Sequence, residues 1–173
     1  MKNDELSVSV EDPNLSSAPQ FSEISTEGIS GDQMRVLGIE GYTLLSTYTK
    51  TFENEWVVKT SNGDDAFKFH PDMTVTLVQA TNPNNDITKF WITTNYRITS
   101  LGWGNGDSAN SLIFTFYNAA DGLVEDPQYI NHRFPRCHFN NTLITEKQNL
   151  PPCDWFGLVA NARRSVDAKL RRC

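Results

Sequence analysis

The fold of this chain is indicated most clearly by residues 90–117, which read FWITTNYRITSL (90–101), GWGNGD (102–107), SAN (108–110) and SLIFTFY (111–117). Aromatic and β-branched residues alternate with Thr, Asn and Arg on both sides of a glycine-rich centre. This alternation is typical of strands with one buried face, and glycine-rich segments often reverse the chain. We therefore predict two strands here, joined by a hairpin reversal.

Similar alternation recurs along the chain. It predicts further strands at residues 42–51, 55–59, 66–69, 73–80 and 142–145. The dipeptides Asn62-Gly63 and Asp121-Gly122 mark turns between them. Seven or eight strands without helical crossovers favour a mainly β fold, either an antiparallel β-sandwich of jelly-roll-like type or a barrel.

The C-terminus carries a different pattern. Pro151 and Pro152 precede Asp154, a good N-cap, and apolar residues then recur every three or four positions, at Trp155, Val159, Ala162, Val166 and Leu170. This predicts one amphipathic helix over about residues 154–171. The helix either packs against the sheet or docks its basic face on a partner.

Residues 1–32 differ in composition from the rest of the chain. They contain one lysine against seven acidic residues, together with many serines. A segment so poor in large apolar residues is predicted to be an arm that is disordered alone, followed by a single domain at residues 33–173. The alternation in residues 6–10, LSVSV, suits addition to a sheet edge, and an inert leader is the alternative.

The overall charge and length limit the partners. A chain of 173 residues with net charge −6 is expected to form one domain and not to bind nucleic acid over its whole surface. Residues 163–173 hold five basic residues against one aspartate, so nucleic-acid contact is predicted only there. The polar N-terminus predicts no signal peptide, and no apolar run is long enough to span a membrane. An intracellular or virion location follows as the expectation.

The three cysteines, Cys137, Cys153 and Cys173, fit no disulfide framework or zinc spacing. We predict free thiols in a reducing compartment. A Cys137–Cys153 bridge is the alternative if the protein is extracellular.

Few residues suggest chemistry. Cys137 and His138 are adjacent, and neighbouring side chains of an extended segment point to opposite faces. His132, Cys137, His138 and Cys153 lack the paired spacing of zinc ligands. The glycine-rich stretch at 102–107 precedes a predicted strand and not a helix, unlike a dinucleotide loop. We predict no catalytic residue, metal or cofactor.

Two sets of candidate contact residues remain. The first could meet a partner or a ligand through aromatic and polar loop side chains, and it comprises Trp103, Asn105, Asp107 and Tyr129. Trp103 could equally fold back as a plug of the core. The second set offers electrostatic contact through Arg163, Arg164, Arg171 and Arg172.

These observations favour a non-enzymatic structural protein that associates with protein partners, including copies of itself. By fold-level analogy it is a β-sandwich subunit of viral coat type, from a capsid or a projecting domain. Capsid arms that hold RNA are basic, whereas this arm is acidic. The alternative is a carbohydrate- or small-ligand-binding sandwich that uses loop aromatics, and the third hypothesis is an enzyme with an unrecognised site.

Overall fold

The computed structural model describes residues 5–14, 21–24, 30–106, 110–131 and 134–173. In these ranges the chain forms one helix, α1 (Gly31–Leu37), one 3₁₀ turn (Phe156–Leu158) and twelve strands. The strands are β1 (Glu5–Glu11), β2 (Ser22–Glu23), β3 (Thr43–Phe52), β4 (Trp56–Lys59), β5 (Asp65–Phe69), β6 (Met73–Thr81), β7 (Thr88–Ser100), β8 (Trp103–Asn105), β9 (Ser111–Tyr117), β10 (Gln128–Asn131), β11 (Thr142–Leu150) and β12 (Asn161–Arg172). The mainly β prediction is confirmed.

The described strands form two antiparallel sheets, and neither closes into a barrel. The first sheet has the order β1-β12-β9-β10, and β8 lies beside β9 along the same edge of β12. In the second sheet β7 is central. β11 pairs with one edge of β7, while β5 and β6 share the other edge and pair in turn with β4 and β3.

The inner faces of the two sheets share one hydrophobic core, in a sandwich-like arrangement. Phe69, Leu77 and Ile92 of the second sheet and Phe114 and Val166 of the first belong to the same buried cluster. Because side chains alternate across a strand, every second residue of these strands faces this core. The alternation in the sequence therefore identified the core-facing residues, but it did not predict that Val78 and Trp91 on the opposite face are buried as well.

The predicted hairpin within residues 90–117 is wrong, although both of its strands are confirmed. β7 lies in the second sheet and β9 in the first, so the glycine-rich centre carries the chain from one sheet to the other. Part of this centre is itself a strand, β8, which pairs with the end of β12. Alternation identifies a strand and its buried face but does not specify its partner.

The predicted helix at 154–171 is also wrong. Only a 3₁₀ turn forms at Phe156–Leu158, and the remainder is the strand β12. Ala162, Val166 and Leu170 are four residues apart, a spacing that suits both a helix face and a strand face. Arg164 and Ala168, which lie between them, are buried on the same face. Burial therefore repeats every two residues, as in a strand.

Helix α1 covers part of the outer face of the second sheet, across the predicted domain boundary at residue 33. It begins with a capping box between Ser30 and Gln33 and ends at Gly38, which has a positive φ of 74°. Trp91 of β7 donates its indole N–H to the carbonyl of Leu37 at 2.5 Å. This contact closes a second, smaller hydrophobic cluster outside the sandwich.

The cysteine predictions are corrected by a disulfide between Cys137 and Cys173, whose Cα atoms are 5.3 Å apart. Cys153 is the free thiol. Both the expectation of three free thiols and the alternative Cys137–Cys153 bridge are therefore wrong. The prediction of a reducing compartment loses the observation on which it depended.

Candidate functional site

Strand β1 forms one edge of the first sheet and is bonded on one side only among the described residues. Its partner is β12, with Val8 opposite Ala168 and Asp12 extending the ladder by donating its N–H to the carbonyl of Arg164 at 2.9 Å. Hydrogen-bonded and non-hydrogen-bonded pairs alternate along an antiparallel ladder. The even-numbered residues of β1 therefore bond to β12.

The odd-numbered residues of β1 direct their backbone groups away from β12. Ser7 and Ser9, both exposed, therefore present their N–H and C=O groups along the edge that no other described strand pairs with. Between Glu5 and Glu11 the strand contains only serine, valine and leucine. Such an edge is a template for another strand.

The other edges in the described part of the chain carry protection that β1 lacks. Proteins guard edges with short strands, bulges and charged residues. β2, β4 and β10 have four residues or fewer. β3 pairs partly with β2 and is bulged between Leu44 and Ser46. β11 carries Glu146 and Lys147 at its centre. We therefore take the edge of β1 as the candidate interaction site.

A buried ion pair anchors β1 at its C-terminal end. Asp12 and Arg164 are 4% and 1% exposed, and Arg164 Nε donates to Asp12 Oδ2 at 2.7 Å. Asp12 Oδ1 also accepts the N–H of Asn14 at 2.9 Å, which holds the turn after the strand. A charged pair removed from water is stabilising only if its remaining polar groups are bonded, and both members meet that condition here.

The guanidinium of Arg164 lies between the two sheets. It donates through Nη2 to the carbonyl of Asn54 at 3.1 Å, and its carbon lies 4.7 Å and 5.2 Å from the ring centres of Phe52 and Trp56. Burial lowers the pKa of Arg164, while the hydrogen bond and the charge of Asp12 oppose that shift. These contacts connect β12 to the second sheet as well as to β1.

A second buried cation adjoins this pair. Lys50 of β3, 2% exposed, donates from Nζ to Asn161 Oδ1 at 2.7 Å. Burial, followed by the charge of Arg164, lowers the pKa of Lys50 to about 8, against the opposing effect of Asp12. A cavity of about 20 Å³, enough for one water molecule, is lined by these side chains. We call Asp12, Lys50, Asn161 and Arg164 the ionic centre.

The structure places Trp103 in the core. Its side chain is 3% exposed on β8, and the guanidinium carbon of Arg172 lies 4.7 Å from its ring centre. Arg172 in turn donates to Asp64 Oδ2 at 3.3 Å. The alternative of a core plug therefore describes Trp103, and its ring is not presented to a ligand.

The other predicted contact residues are dispersed. Asn105 lies on β8 and accepts a hydrogen bond from Asn110 Nδ2 at 2.6 Å, whereas Asp107 lies outside the described residues. Tyr129 is 50% exposed on β10, opposite Ile113. Of this set, Tyr129 retains an accessible aromatic surface, and ligand binding there stays a prediction.

The four C-terminal arginines do not form one patch. Because side chains alternate, Arg163 and Arg171 lie on the outer face of the first sheet, and Arg164 and Arg172 on the opposite face. Arg163 Nη1 lies 4.0 Å from the carboxylate of Glu11 on β1. Arg164 is buried, whereas the side chain of Arg172 is 55% exposed, so electrostatic contact stays a prediction for Arg163, Arg171 and Arg172.

The cysteines offer little reactivity as arranged. Cys137 is consumed in the disulfide, and burial, with Glu125 and Asp154, raises the pKa of Cys153 to about 11. A thiol so protonated at neutral pH is a poor nucleophile. His132 lies outside the described residues, among which no group of three or more His, Cys, Asp or Glu side chains could hold a metal ion.

The ionic centre was not predicted from the sequence, although the positions of Lys50 and Arg164 in their strands indicate burial. Lys50 shares a strand face with Tyr48 and Phe52, two residues away on either side, and Arg164 similarly lies between Ala162 and Val166. A cation at an apolar position of an alternating strand indicates a buried partner. Nothing in the sequence marks Asp12 as that partner.

Comparison of the chain with protein-family models, with curated proteins and with solved structures finds no match. No helix in the described part of the chain is long and apolar enough to cross a membrane.

Proposed function

We propose that this protein is a non-enzymatic structural subunit that assembles with protein partners by strand addition at the edge of β1. The observation that supports the proposal is the contrast between this edge and the others of the described chain. Strand β1 is seven residues long, pairs with β12 without a bulge and has no charged residue between Glu5 and Glu11. The ionic centre holds it in place against the sandwich.

The coat-type assignment is the finer part of this proposal and rests on fold-level analogy. Jelly rolls contain two Greek keys, in which a strand returns beside one that is distant in sequence. β12 returns in this manner beside β9. β3 likewise lies beside β6 although β4 and β5 come between them in sequence, whereas β6 and β7 are consecutive, so the likeness rests on the placements of β12 and β3.

Association through this edge is tested by replacing Ser9 with proline. Proline removes the outward N–H of Ser9 and leaves the bonds of Val8 and Val10 to β12 intact, as edge strands tolerate. Each lost backbone bond is worth about 0.5–1.5 kcal/mol, and the ring also crowds an added strand. We expect self-association of S9P, measured by sedimentation velocity over a wide concentration range, to be roughly tenfold weaker or more.

The matched control is Ser9→Thr, which keeps the N–H and suits a strand. It should associate as the unchanged protein does. If the unchanged protein is monomeric at every concentration, self-association is contradicted. If S9P and S9T associate equally, the role of the β1 edge is contradicted.

A further inference from the structure

We infer that the partner at this edge is a second copy of the chain, whose β1 pairs antiparallel with the first about a two-fold axis at Val8. The inference rests on the proposed function and specifies its partner and register. In this arrangement the first sheets of two sandwiches become one continuous sheet.

The backbone polarity of β1 suits this register. Two antiparallel strands related by a two-fold axis pair residue i with residue 16 − i when the axis passes through position 8, so Ser7 lies opposite Ser9 of the second copy. Ser7 and Ser9 carry the outward N–H and C=O groups, so these positions form hydrogen-bonded pairs. Val8 meets Val8 in the non-hydrogen-bonded pair between them. The backbone N–H and C=O groups of residues 6–10 are then all hydrogen-bonded, either to β12 or to the second copy.

The side chains also match. Residues 6–10 read LSVSV, which is nearly the same in both directions. Leu6 falls opposite Val10, and Val8 opposite Val8, all on the inner face where Leu6 and Val10 are only half-buried in the single copy. Opposed apolar pairs of this kind stabilise a sheet. Between Leu6 and Val10 the outer face of the contact carries only serines.

Other registers are poorer. A shift of the pairing by one residue would place the serines of one copy opposite the apolar residues of the other. The apolar faces of the two strands would then lie on opposite sides of the joined sheet. A shift by two residues in either direction leaves two apolar pairs where the centred register has three. The centred register also sets Glu11 opposite Glu5 at each end, and like charges there limit pairing to the five central residues.

A two-fold contact uses the same surface on both copies and is closed once it forms. The occupied edge then offers no further template. The inference therefore predicts a dimer as the unit from which any larger assembly is built, and not an open filament extended through β1.

Cysteine cross-linking tests the register. In a Cys153→Ser background, Ser7→Cys and Ser9→Cys are prepared separately, oxidised alone and oxidised as a mixture. Paired Cα atoms about 5.5 Å apart lie within disulfide range, whereas position 7 is more distant from position 7 of the second copy. We expect a disulfide-linked dimer in the mixture and none in either variant alone, as read by non-reducing electrophoresis.

Cross-linking of either single variant as efficiently as the mixture would overturn the register centred on Val8. Absence of cross-linking in all samples, together with association that S9P weakens and S9T does not, would overturn this inference while the proposed function stands. Both exposed serines tolerate cysteine without loss of a core contact, and circular dichroism of each variant verifies the fold.

Discussion

Replacing Asp12 by alanine is expected to lower the free energy of unfolding by about 3–5 kcal/mol, as measured by urea denaturation. The substitution leaves the guanidinium of Arg164 buried without its carboxylate, since Nε then loses its 2.7 Å partner. The other contacts of Arg164, to the carbonyl of Asn54, to the sulfur of Met73 and to two aromatic rings, carry no compensating negative charge. Removal of one member of a buried pair is therefore far more damaging than removal of an exposed one.

Glu11→Ala provides the matched control. Glu11 is adjacent to Asp12 in sequence, but it is exposed and its ion pair with Arg163, at 4.0 Å, is long. An exposed pair contributes about 0–1 kcal/mol. A loss below about 1 kcal/mol for D12A, similar to that of E11A, would mean that the ionic centre does not anchor β1.

The second large effect concerns Lys50 and pH. Its pKa of about 8 in the folded protein is below the ordinary 10.5, so between these values the unfolded chain binds more protons. The free energy of unfolding therefore rises with pH between about 8 and 10.5 because of Lys50. Below about pH 8 this group makes no pH-dependent contribution. The rise is at most about 3 kcal/mol, reduced to the extent that water reaches Nζ through the adjoining cavity.

Lys50→Met isolates this effect. Methionine keeps the apolar stem and removes the charge, and Asn161 Oδ1 still accepts the N–H of Ala162 at 2.8 Å. Burial raises the pKa of both Cys153 and Tyr96, which opposes stability at high pH, but these groups are present in both proteins. The free energy of unfolding of the unchanged protein should therefore rise relative to that of K50M from pH 8 to 10.5. A difference independent of pH would contradict a lowered pKa for Lys50.

Local patterns and long-range contacts were not equally predictable. Alternation located β3, β6, β7 and β9, because the period of a strand is written in neighbouring residues. Alternating residues show which face of a strand is buried. They do not show which other strand is hydrogen-bonded to each of its edges. This is why β7 and β9 were assigned correctly as strands and incorrectly as a hairpin.

The candidate site illustrates the same limit. The LSVSV alternation at residues 6–10 already indicated sheet addition, and the structure supplies the direction of its backbone groups. Asp12 could not be identified, because it is separated from Arg164 by 152 residues and sits in a segment whose composition predicts disorder. Whether the isolated arm is disordered stays a prediction. In the complete chain its residues Glu5–Glu11 form a strand.

β1 is bonded to β12 through its even-numbered residues, and we propose that its odd-numbered residues bond to a second copy. Amide hydrogen exchange followed by NMR at low and high protein concentration distinguishes these two sets of amides. The amides of Leu6, Val8 and Val10 should be protected at both concentrations. Those of Ser7 and Ser9 should exchange rapidly in the monomer and become protected as dimers form. Rapid exchange of Ser7 and Ser9 at concentrations where sedimentation shows dimers, or rapid exchange of Val8 in the monomer, would contradict this pairing.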